Sequence, residues 1–216
     1  MITIFYHIAK INNWEKIVSE HESLVSEIPD CKLIKNFLEK DNLDQYEVPT
    51  LHQLWKYAKT KDQNEIIGYI HTKGVTRPFN RSNRLWRETL NYWTLTRWKD
   101  HIHCLKDADT SGVRYINYHR DGLYLPHYSG NFWFANSNYI KTLEDPTNYA
   151  ENYHPKIPSK KHSSNRYGCE MWIGSGNGEM ANIDNSQTLK FTEGKIKNER
   201  GLRSYKYWVK KYGKPN

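Results

Sequence analysis

Short apolar runs alternate along the chain with stretches whose apolar residues recur on one helical face. The apolar runs predict strands at residues 2–6, 31–38, 65–70, 112–116 and 131–135. The other stretches predict helices that begin near Asn13 and Thr50, a long helix over 82–105, and short helices over 139–143 and 166–173. This alternation predicts one α/β domain over residues 1–216, with a central, mostly parallel mixed sheet flanked by helices and a basic tail from about 183.

The order of these elements also predicts where functional residues lie. In open α/β sheets, ligands bind outside the carboxyl ends of the strands. The loops after Tyr6, Ile70, Leu105 and the 131–135 strand are therefore the expected positions.

Composition narrows the class of protein. Hydrophobic residues make up 37% and charged residues 26% of the 216 positions, which is typical of a folded soluble domain and not of a disordered chain. The 16 tyrosines and 8 tryptophans are many, and such side chains line sites that stack sugar or base rings as well as filling cores. A net charge of +8 favours polyanionic or phosphorylated partners. The Lys-rich tail is interpreted as a solvated surface, with a dedicated binding patch as the alternative.

Several classes of protein are disfavoured. Three cysteines without Cys-x-x-Cys spacing argue against a disulfide scaffold or a structural zinc site. The apolar start soon turns polar, and no stretch is long enough to predict a signal peptide or a membrane span. A cytoplasmic protein is expected, in the host cytoplasm if the source is viral. The motifs of dinucleotide-binding folds, P-loop NTPases, serine hydrolases and zinc proteases are missing from the sequence.

The first segment with candidate chemistry follows the 65–70 strand. This strand leads His71, Thr72 and Lys73 into a loop in which Gly74 allows a sharp turn. Lys73 can neutralise a phosphate, the two neighbouring side chains can add hydrogen bonds, and Arg84 adds positive charge nearby. An ordinary strand-ending turn with surface bases is the alternative.

A pair of carboxylates, Asp107 and Asp109, forms the second candidate. Two carboxylates separated by one residue can hold a hard cation such as Mn²⁺ or Mg²⁺, and the cation can bridge a diphosphate. An acidic turn that caps the end of the preceding helix explains the same residues.

The third candidate is a polar segment at the entrance to an aromatic strand. His127, Ser129 and Asn131 surround Gly130 just before Trp133. Imidazole, hydroxyl and amide groups suit sugar hydroxyls, and an aromatic face suits the C–H surface of a sugar. Because buried strands seldom need so many polar groups in a row, a sugar-binding role is favoured over a core strand with a polar lead-in.

Glu170 is the fourth candidate, because large apolar residues surround it in the sequence. Desolvation there would raise the pKa of its carboxyl and suit it to base catalysis. A structural ion pair with Arg166, four residues earlier, is the alternative.

The succession of residues 69–75, Trp86 on a long helix, residues 127–135 and residues 170–172 resembles a family of small glycosyltransferase-like proteins. These proteins occur in bacteria and in large DNA viruses, and include the capsid-glycan glycosyltransferases of chlorella viruses. The resemblance spans about residues 1–175, and its most specific parts are His71–Gly74 and His127–Trp133.

The resemblance implies a GT-A-like fold, a UDP-sugar donor, a glycan or protein-glycan acceptor and a divalent cation, usually manganese. It implies that Tyr6, His7 and the 71–74 loop hold the nucleotide, and that Asp107 and Asp109 hold the metal. It implies further that the 127–133 segment and Glu170 face the sugars. GT-A enzymes usually place the Asp-x-Asp pair after a hydrophobic strand, whereas here the pair follows a helix-like stretch.

Two other functions are compatible with the sequence. A basic nucleic-acid-binding protein would explain the net charge, the Lys-rich tail and the aromatic residues. The aromatic residues do not, however, interleave with Arg and Lys in an RNA-binding signature, and this function leaves the 127–133 segment unexplained. A non-catalytic sugar-binding module of the same fold is the second alternative.

Overall fold

The computed structural model describes residues 1–116, 126–152, 164–183 and 204–214. The strands in these ranges are β1 (Ile2–Ala9), β2 (Cys31–Leu38), β3 (Ile66–His71), β4 (Thr110–Gly112), β5 (Tyr115–Ile116), β6 (His127–Tyr128), β7 (Trp133–Asn136) and β8 (Met180–Asn182). The α-helices are α1 (Trp14–Val25), α2 (Val48–Lys59), α3 (Arg81–Leu90), α4 (Trp98–Cys104), α5 (Ser137–Ile140), α6 (Pro146–Asn152), α7 (Ser164–Met171) and α8 (Tyr205–Tyr212).

Six of these strands form one mixed sheet in the order β2-β1-β3-β7-β4-β8. β1 pairs in parallel with both β2 and β3, whereas β7 lies antiparallel between β3 and β4. β8 completes the sheet in parallel with β4. Five strands therefore run in one direction and β7 runs against them, which confirms the predicted α/β class with a mostly parallel, Rossmann-like sheet.

Helices cover both faces of this sheet because alternate residues of β1 face opposite sides. Ile4 and Tyr6 pack on one side with α1, α3, α4 and α8. Phe5 packs on the other side with α2, α5 and α7. Both clusters contain fully buried side chains, so β1 lies at the centre of the core.

A glycine in the middle of β3 allows the sheet to pack closely. A Cβ atom at Gly68 would lie 2.8 Å from Cε1 of Phe134 and 3.0 Å from Cγ1 of Ile4. The missing side chain at Gly68 leaves room for the ring of Phe134, its partner residue on the neighbouring strand β7.

The predicted 82–105 helix is the largest error in secondary structure. The structure divides this stretch into α3, a π-helical segment at Asn91–Thr96, and α4. All six residues of the π-helical segment are buried. A helix enclosed on every side keeps no polar face, so hydrophobic periodicity cannot locate a change in its winding.

The C-terminal tail also differs from the solvated surface that was predicted. In α8, Tyr205, Trp208 and Val209 pack against the main core. Trp208 Nε1 donates a hydrogen bond to Thr89 Oγ1 at 3.1 Å, and the hydroxyls of Tyr205 and Thr96 lie 2.8 Å apart. The described part of the tail is therefore part of the domain. No helix within the described ranges is both long and apolar enough to cross a membrane.

Candidate functional site

The carboxyl ends of β1 and β3 meet at one edge of the sheet, where His7 pairs with His71. From β1 the chain passes to β2 on one side and then crosses back to β3 on the other, so a topological switch point lies between β1 and β3. Because β7 is antiparallel, the residues before it, 127–132, reach the same edge. The carboxyl end of β4 leads Arg114 there as well. We call this edge the switch edge.

The loop after β3 extends the pairing of β1 and β3 by one residue. Thr72 donates its backbone N–H to the carbonyl oxygen of His7 at 3.0 Å, and its side-chain oxygen accepts the N–H of Ala9 at 3.0 Å. The chain then turns at Gly74, whose φ of 82° lies in the left-handed region that favours glycine. Lys73 lies between Thr72, which is bonded to β1, and the turn at Gly74, so its backbone is held in a fixed geometry.

The ammonium group of Lys73 lies 4.1 Å from the ring centroid of Trp86, in a cation–π contact. The guanidinium carbon of Arg114 lies 5.7 Å from the same centroid. Burial lowers the pKa of Lys73, Arg166 and Arg114 lower it further, and the carboxylates Glu170 and Glu47 act in the opposite direction. Two cationic side chains therefore share one aromatic ring at the switch edge.

Glu47, immediately before α2, supplies a carboxylate to the same place. Its Oε2 accepts hydrogen bonds from the Tyr69 hydroxyl at 3.1 Å and from Asn131 Nδ2 at 2.5 Å. Burial raises the pKa of the Glu47 carboxyl, and the nearby Glu170 adds to the increase, although His7, Asn131 and Lys73 oppose it. Glu47 is consequently a carboxyl group that holds a proton more tightly than usual.

His71 links Glu47 to the turn before β7. Its Nε2 lies 3.0 Å from the carbonyl oxygen of Gly130, so Nε2 carries the proton and donates it. Nδ1 then keeps its lone pair in the neutral ring and lies 3.6 Å from Glu47 Oε1. Burial, together with the charge of Lys73, lowers the pKa of His71 to about 3. His71 is therefore a neutral ring beside the Glu47 carboxyl.

Two successive residues with a left-handed backbone conformation form a turn before β7, and this turn contacts the side chain of Glu170. Gly130 has a φ of 98° and Asn131 a φ of 54°. A Cβ atom at Gly130 would lie 2.8 Å from Cδ1 of Leu90 and 3.0 Å from Nε1 of Trp86, so this position also requires glycine for space. The Gly130 N–H donates a hydrogen bond to Glu170 Oε1 at 2.8 Å. The turn thereby fixes the Glu170 carboxylate beside the Lys73 loop.

Glu170 has the opposite electrostatic character to Glu47. Burial alone would raise the pKa of Glu170, but Lys73, His127 and the Gly130 N–H outweigh burial and the pKa is lowered. The site thus holds one carboxyl group whose pKa is raised and one whose pKa is lowered. Pairs of carboxyl groups with diverging pKa values are typical of acid–base sites.

Comparison with known protein families gives one match. The family model described as a domain of unknown function, DUF8361, matches residues 3–180. This chain belongs to the DUF8361 family. No curated protein and no solved structure matches it. The matched range of the DUF8361 chain includes every residue of the switch edge described above.

The structure brings most of the predicted site residues of this DUF8361 chain together. His7, His71, Thr72, Lys73, Gly74, His127, Ser129, Gly130, Asn131 and Glu170 all lie at the switch edge. Ser129 is only partly buried, whereas His127 is 6% exposed. The two segments that carry the resemblance therefore meet in space.

Several of these polar groups serve as internal supports. Asn131 donates to Glu47 Oε2 and to the carbonyl oxygen of Cys169, and its Oδ1 accepts Trp133 Nε1–H at 2.8 Å. His7 Nδ1 lies 2.8 Å from Thr50 Oγ1. These side chains position the site, because their own hydrogen-bonding groups already have protein partners.

Three predicted residues of the DUF8361 chain lie away from the open part of the site. Tyr6 and Trp133 are fully buried in the core, where Trp133 stacks on Tyr69. Arg84 points along α3 to Glu88, with 3.6 Å between Nε and Oε1, and 58% of its side chain is exposed. The residue of α3 that contacts the Lys73 loop is Arg87, whose Nη1 donates to the Lys73 carbonyl oxygen at 3.4 Å.

Asp107 and Asp109 lie at the opposite edge of the sheet, because they precede β4 and do not follow it. Asp109 Oδ2 accepts the backbone N–H of Glu179 at 3.0 Å, and the Asp109 carbonyl accepts the N–H of Asn136. Over the described ranges, no three His, Cys, Asp or Glu side chains form a group suited to a metal ion. The donor set of this pair does not fit a divalent cation that bridges a diphosphate at the switch edge.

The sequence prediction missed four residues of the switch edge. Glu47, Arg87 and Arg114 belong to no motif, and Trp86 was part of the resemblance as a helix residue without an assigned site role. Trp86 could have been noticed, because a tryptophan one or two turns into a helix after a Lys-Gly loop can reach back to that loop. The tertiary packing of α2 against β3 is what brings Glu47 to the site.

Proposed function

We propose that this DUF8361 chain is a glycosyltransferase that transfers a sugar from a UDP-sugar donor to a hydroxyl group of a glycan acceptor. One observation carries the proposal. At the switch point of an α/β sheet, the ammonium group of the half-buried Lys73 lies near two carboxyl groups, Glu47 and Glu170, whose pKa values are shifted in opposite directions.

The cationic part of the site supports an anionic phosphate ligand. Switch points bind nucleotides in many open α/β sheets. Lys73 and Arg114 supply positive charge there, and both contact the half-buried Trp86 ring. A diphosphate placed at this position neutralises both cations.

The acid–base part of the site supports transfer to a hydroxyl. In a direct displacement, the acceptor oxygen forms the new bond to the anomeric carbon while the bond between that carbon and the donor oxygen breaks. The electron pair of the broken bond leaves with the diphosphate, and the acceptor proton passes to a base. Glu47 fits the role of base because its raised pKa makes it the stronger proton acceptor of the two carboxylates once it is ionised.

Glu170 then takes a different role from the general base that the sequence suggested. Its lowered pKa keeps it ionised beside Lys73. An ionised carboxylate near the anomeric carbon can accept hydrogen bonds from sugar hydroxyls and stabilise positive charge that develops on the sugar ring. His127 acts electrostatically on this carboxylate, and Gly130 donates its N–H to it, from the segment that the sequence predicts to bind sugar.

The test compares Glu47→Gln and Glu170→Gln in an assay of UDP release from a panel of UDP-hexoses and UDP-pentoses. Loss of base catalysis costs about 10²–10⁴-fold in rate. We expect Glu47→Gln to lower kcat by this amount and to remove the acid limb of the pH profile. Glu170→Gln should lower the rate while leaving that limb in place. Glu151→Gln, on the exposed part of α6, is the matched control.

Other outcomes identify other functions. Binding of UDP-sugars without UDP release from any donor would favour the non-catalytic sugar-binding module. Binding of single-stranded nucleic acid with no response to UDP would favour the basic nucleic-acid-binding protein. Either result refutes the transferase proposal.

A further inference from the structure

The surroundings of Lys73 are unusual for a cationic side chain. Its Nζ contacts the Trp86 ring, yet no carboxylate lies within ion-pair distance and no acceptor within hydrogen-bond distance among the described residues. Glu47 and Glu170 act on it only through longer-range attraction. An ammonium group on a rigid loop that has no direct anionic partner in the described ranges is poised for an anion from outside the protein.

The described residues around Lys73 leave few oxygen atoms for a divalent cation to bind. At Glu47, Oε2 already accepts two hydrogen bonds, and at Glu170, Oε1 accepts the Gly130 N–H. Lys73 and Arg114 would both repel a metal ion placed between the carboxylates and a diphosphate. The Asp107 and Asp109 pair, which the resemblance assigns to the metal, lies at the other edge of the sheet.

We propose that Lys73, with Arg114, replaces the divalent cation in this chain, so that a nucleoside diphosphate binds at the switch edge without metal. This inference rests on the proposed function, because it concerns the same diphosphate. Lys73 neutralises charge on the diphosphate as the donor bond breaks, which is the work that Mn²⁺ would do in a metal-dependent enzyme. The Trp86 ring holds the ammonium group in place before the ligand arrives.

The loop geometry explains why lysine can do this here. The Thr72 hydrogen bonds to β1 and the Arg87 contact to the Lys73 carbonyl fix the backbone on both sides of the side chain. Fixing the backbone reduces the conformational entropy that a flexible lysine loses when it binds a phosphate. A pre-positioned lysine thereby approaches the rigidity that a coordinated metal ion provides.

Calorimetric titration of the whole chain with UDP tests the inference, with protein dialysed against EDTA and with protein in excess Mn²⁺. We expect the Kd for UDP to agree within about twofold between the two buffers, since the cation that matters is covalently attached. Lys73→Met should weaken UDP binding about tenfold or more in both buffers, because one charge-assisted contact is worth 1.4 kcal/mol or more. Titration with inorganic pyrophosphate should show the same dependence on Lys73.

Matched variants keep the test decisive. Lys106→Met removes the same charge from an exposed position beside Asp107 and should leave the Kd unchanged. Asp109→Asn should also leave UDP binding unchanged with or without Mn²⁺. If Lys73→Met fails to fold, as judged by circular dichroism, then Lys73→Arg, which keeps the charge, and the wild-type comparison in EDTA still decide the question.

The possible failures are distinguishable. If UDP binds only with Mn²⁺, the metal-independent site is refuted while the proposed transferase function survives. If UDP binds in neither buffer, the proposed function and this inference fail together. If UDP binds in both buffers and Lys73→Met binds as the wild type does, the ligand lies elsewhere and the role of Lys73 is refuted.

Discussion

Acidification from pH 8 to pH 5 should destabilise this protein strongly, because four histidines are enclosed in it as neutral rings. Burial is the main cause that lowers the pKa of His7 and His101 to about 4, and of His21 and His71 to about 3. His101 has protein partners for both ring nitrogens. His21 is fully buried, and neither of its nitrogens has a hydrogen-bond partner within the described ranges.

The direction of this change in stability follows from the number of protons that the folded and the unfolded chain bind. Below an ordinary histidine pKa of 6.5, the unfolded chain binds a proton at each of these positions, whereas the folded chain does not until the pH reaches the lowered value. Stability is therefore lost as the pH falls below about 6.5. Glu47 acts in the opposite sense, because its pKa is raised and its contribution is lost as the pH rises.

The loss in free energy of unfolding at pH 5 depends little on the pKa value of each histidine in the folded state. At this pH the folded rings remain neutral, and each histidine costs about 1.4 kcal/mol for each pH unit below 6.5, or about 2 kcal/mol. Four such residues together cost about 8 kcal/mol, which is comparable with the 5–15 kcal/mol that typically stabilises a domain. We therefore expect the folded state to be marginal near pH 5.

Urea unfolding, followed by circular dichroism at half-unit steps between pH 8 and pH 5, measures this loss directly. The slope below pH 6 should correspond to three or four protons taken up on unfolding. His21→Phe keeps an aromatic ring against Tyr6 and Phe132 and should recover about 2 kcal/mol of the loss at pH 5. His103→Phe, on the exposed side of α4, is the control and should leave the slope unchanged.

Two results would refute the reasoning. An unfolding free energy that stays constant from pH 8 to pH 5 would mean that the enclosed histidines carry protons in the folded state. A His21→Phe variant with the slope of the wild type would mean that His21 is solvated or paired in a way that the structure does not have.

Three further predictions concern packing and the carboxyl group of α2. Gly168→Val should lower the free energy of unfolding by about 1–3 kcal/mol in urea titration, because a Cβ atom there would lie 2.7 Å from the Ala150 Cα; wild-type stability would contradict the close packing of α6 and α7. Trp208→Ala should lower the free energy of unfolding by at least about 2 kcal/mol and reduce the near-ultraviolet circular dichroism. If both quantities stay at their wild-type values, α8 does not pack on the core. Glu47→Gln should raise the free energy of unfolding more at pH 8 than at pH 6, since it removes a buried carboxyl group with a raised pKa; equal effects at both pH values would place that carboxyl group in solvent.

The first half of the sheet could be predicted because its elements are set by local patterns. The apolar run of β1 and the amphipathic stretches of α1 and α2 each carry a period that identifies the element, and β3 ends one residue beyond its predicted boundary. A parallel sheet then places the end of β3 beside the end of β1 by topology alone. For this reason His71 and Lys73 could be predicted at the switch edge without knowledge of any contact.

Glu47 could not be predicted in the same way. A single glutamate before a helix is common, and its sequence neighbours give no sign of burial. Burial raises the pKa of its carboxyl, and the groups around that carboxyl come from distant parts of the chain, namely the Tyr69 hydroxyl on β3, the Asn131 amide before β7, and His71. Only the packing of α2 against both strands brings these groups together, so the pKa of Glu47 is a property of the tertiary structure.

The direction of a single strand decides the rest of the site. In a fully parallel sheet, the loop after the 131–135 strand would lie beside the ends of β1 and β3, and the polar segment before it would lie at the far edge. Because β7 runs antiparallel, His127–Asn131 reaches the switch edge instead, and the residues after β7 begin α5 at the other edge. The same geometry decides the position of Asp109, which precedes a strand that runs parallel to β1 and so cannot share an edge with Lys73. Apolar patterns identify strands but are the same for either direction, so the grouping of residues 71–74 with 127–131 depended on a fact that the pattern does not encode.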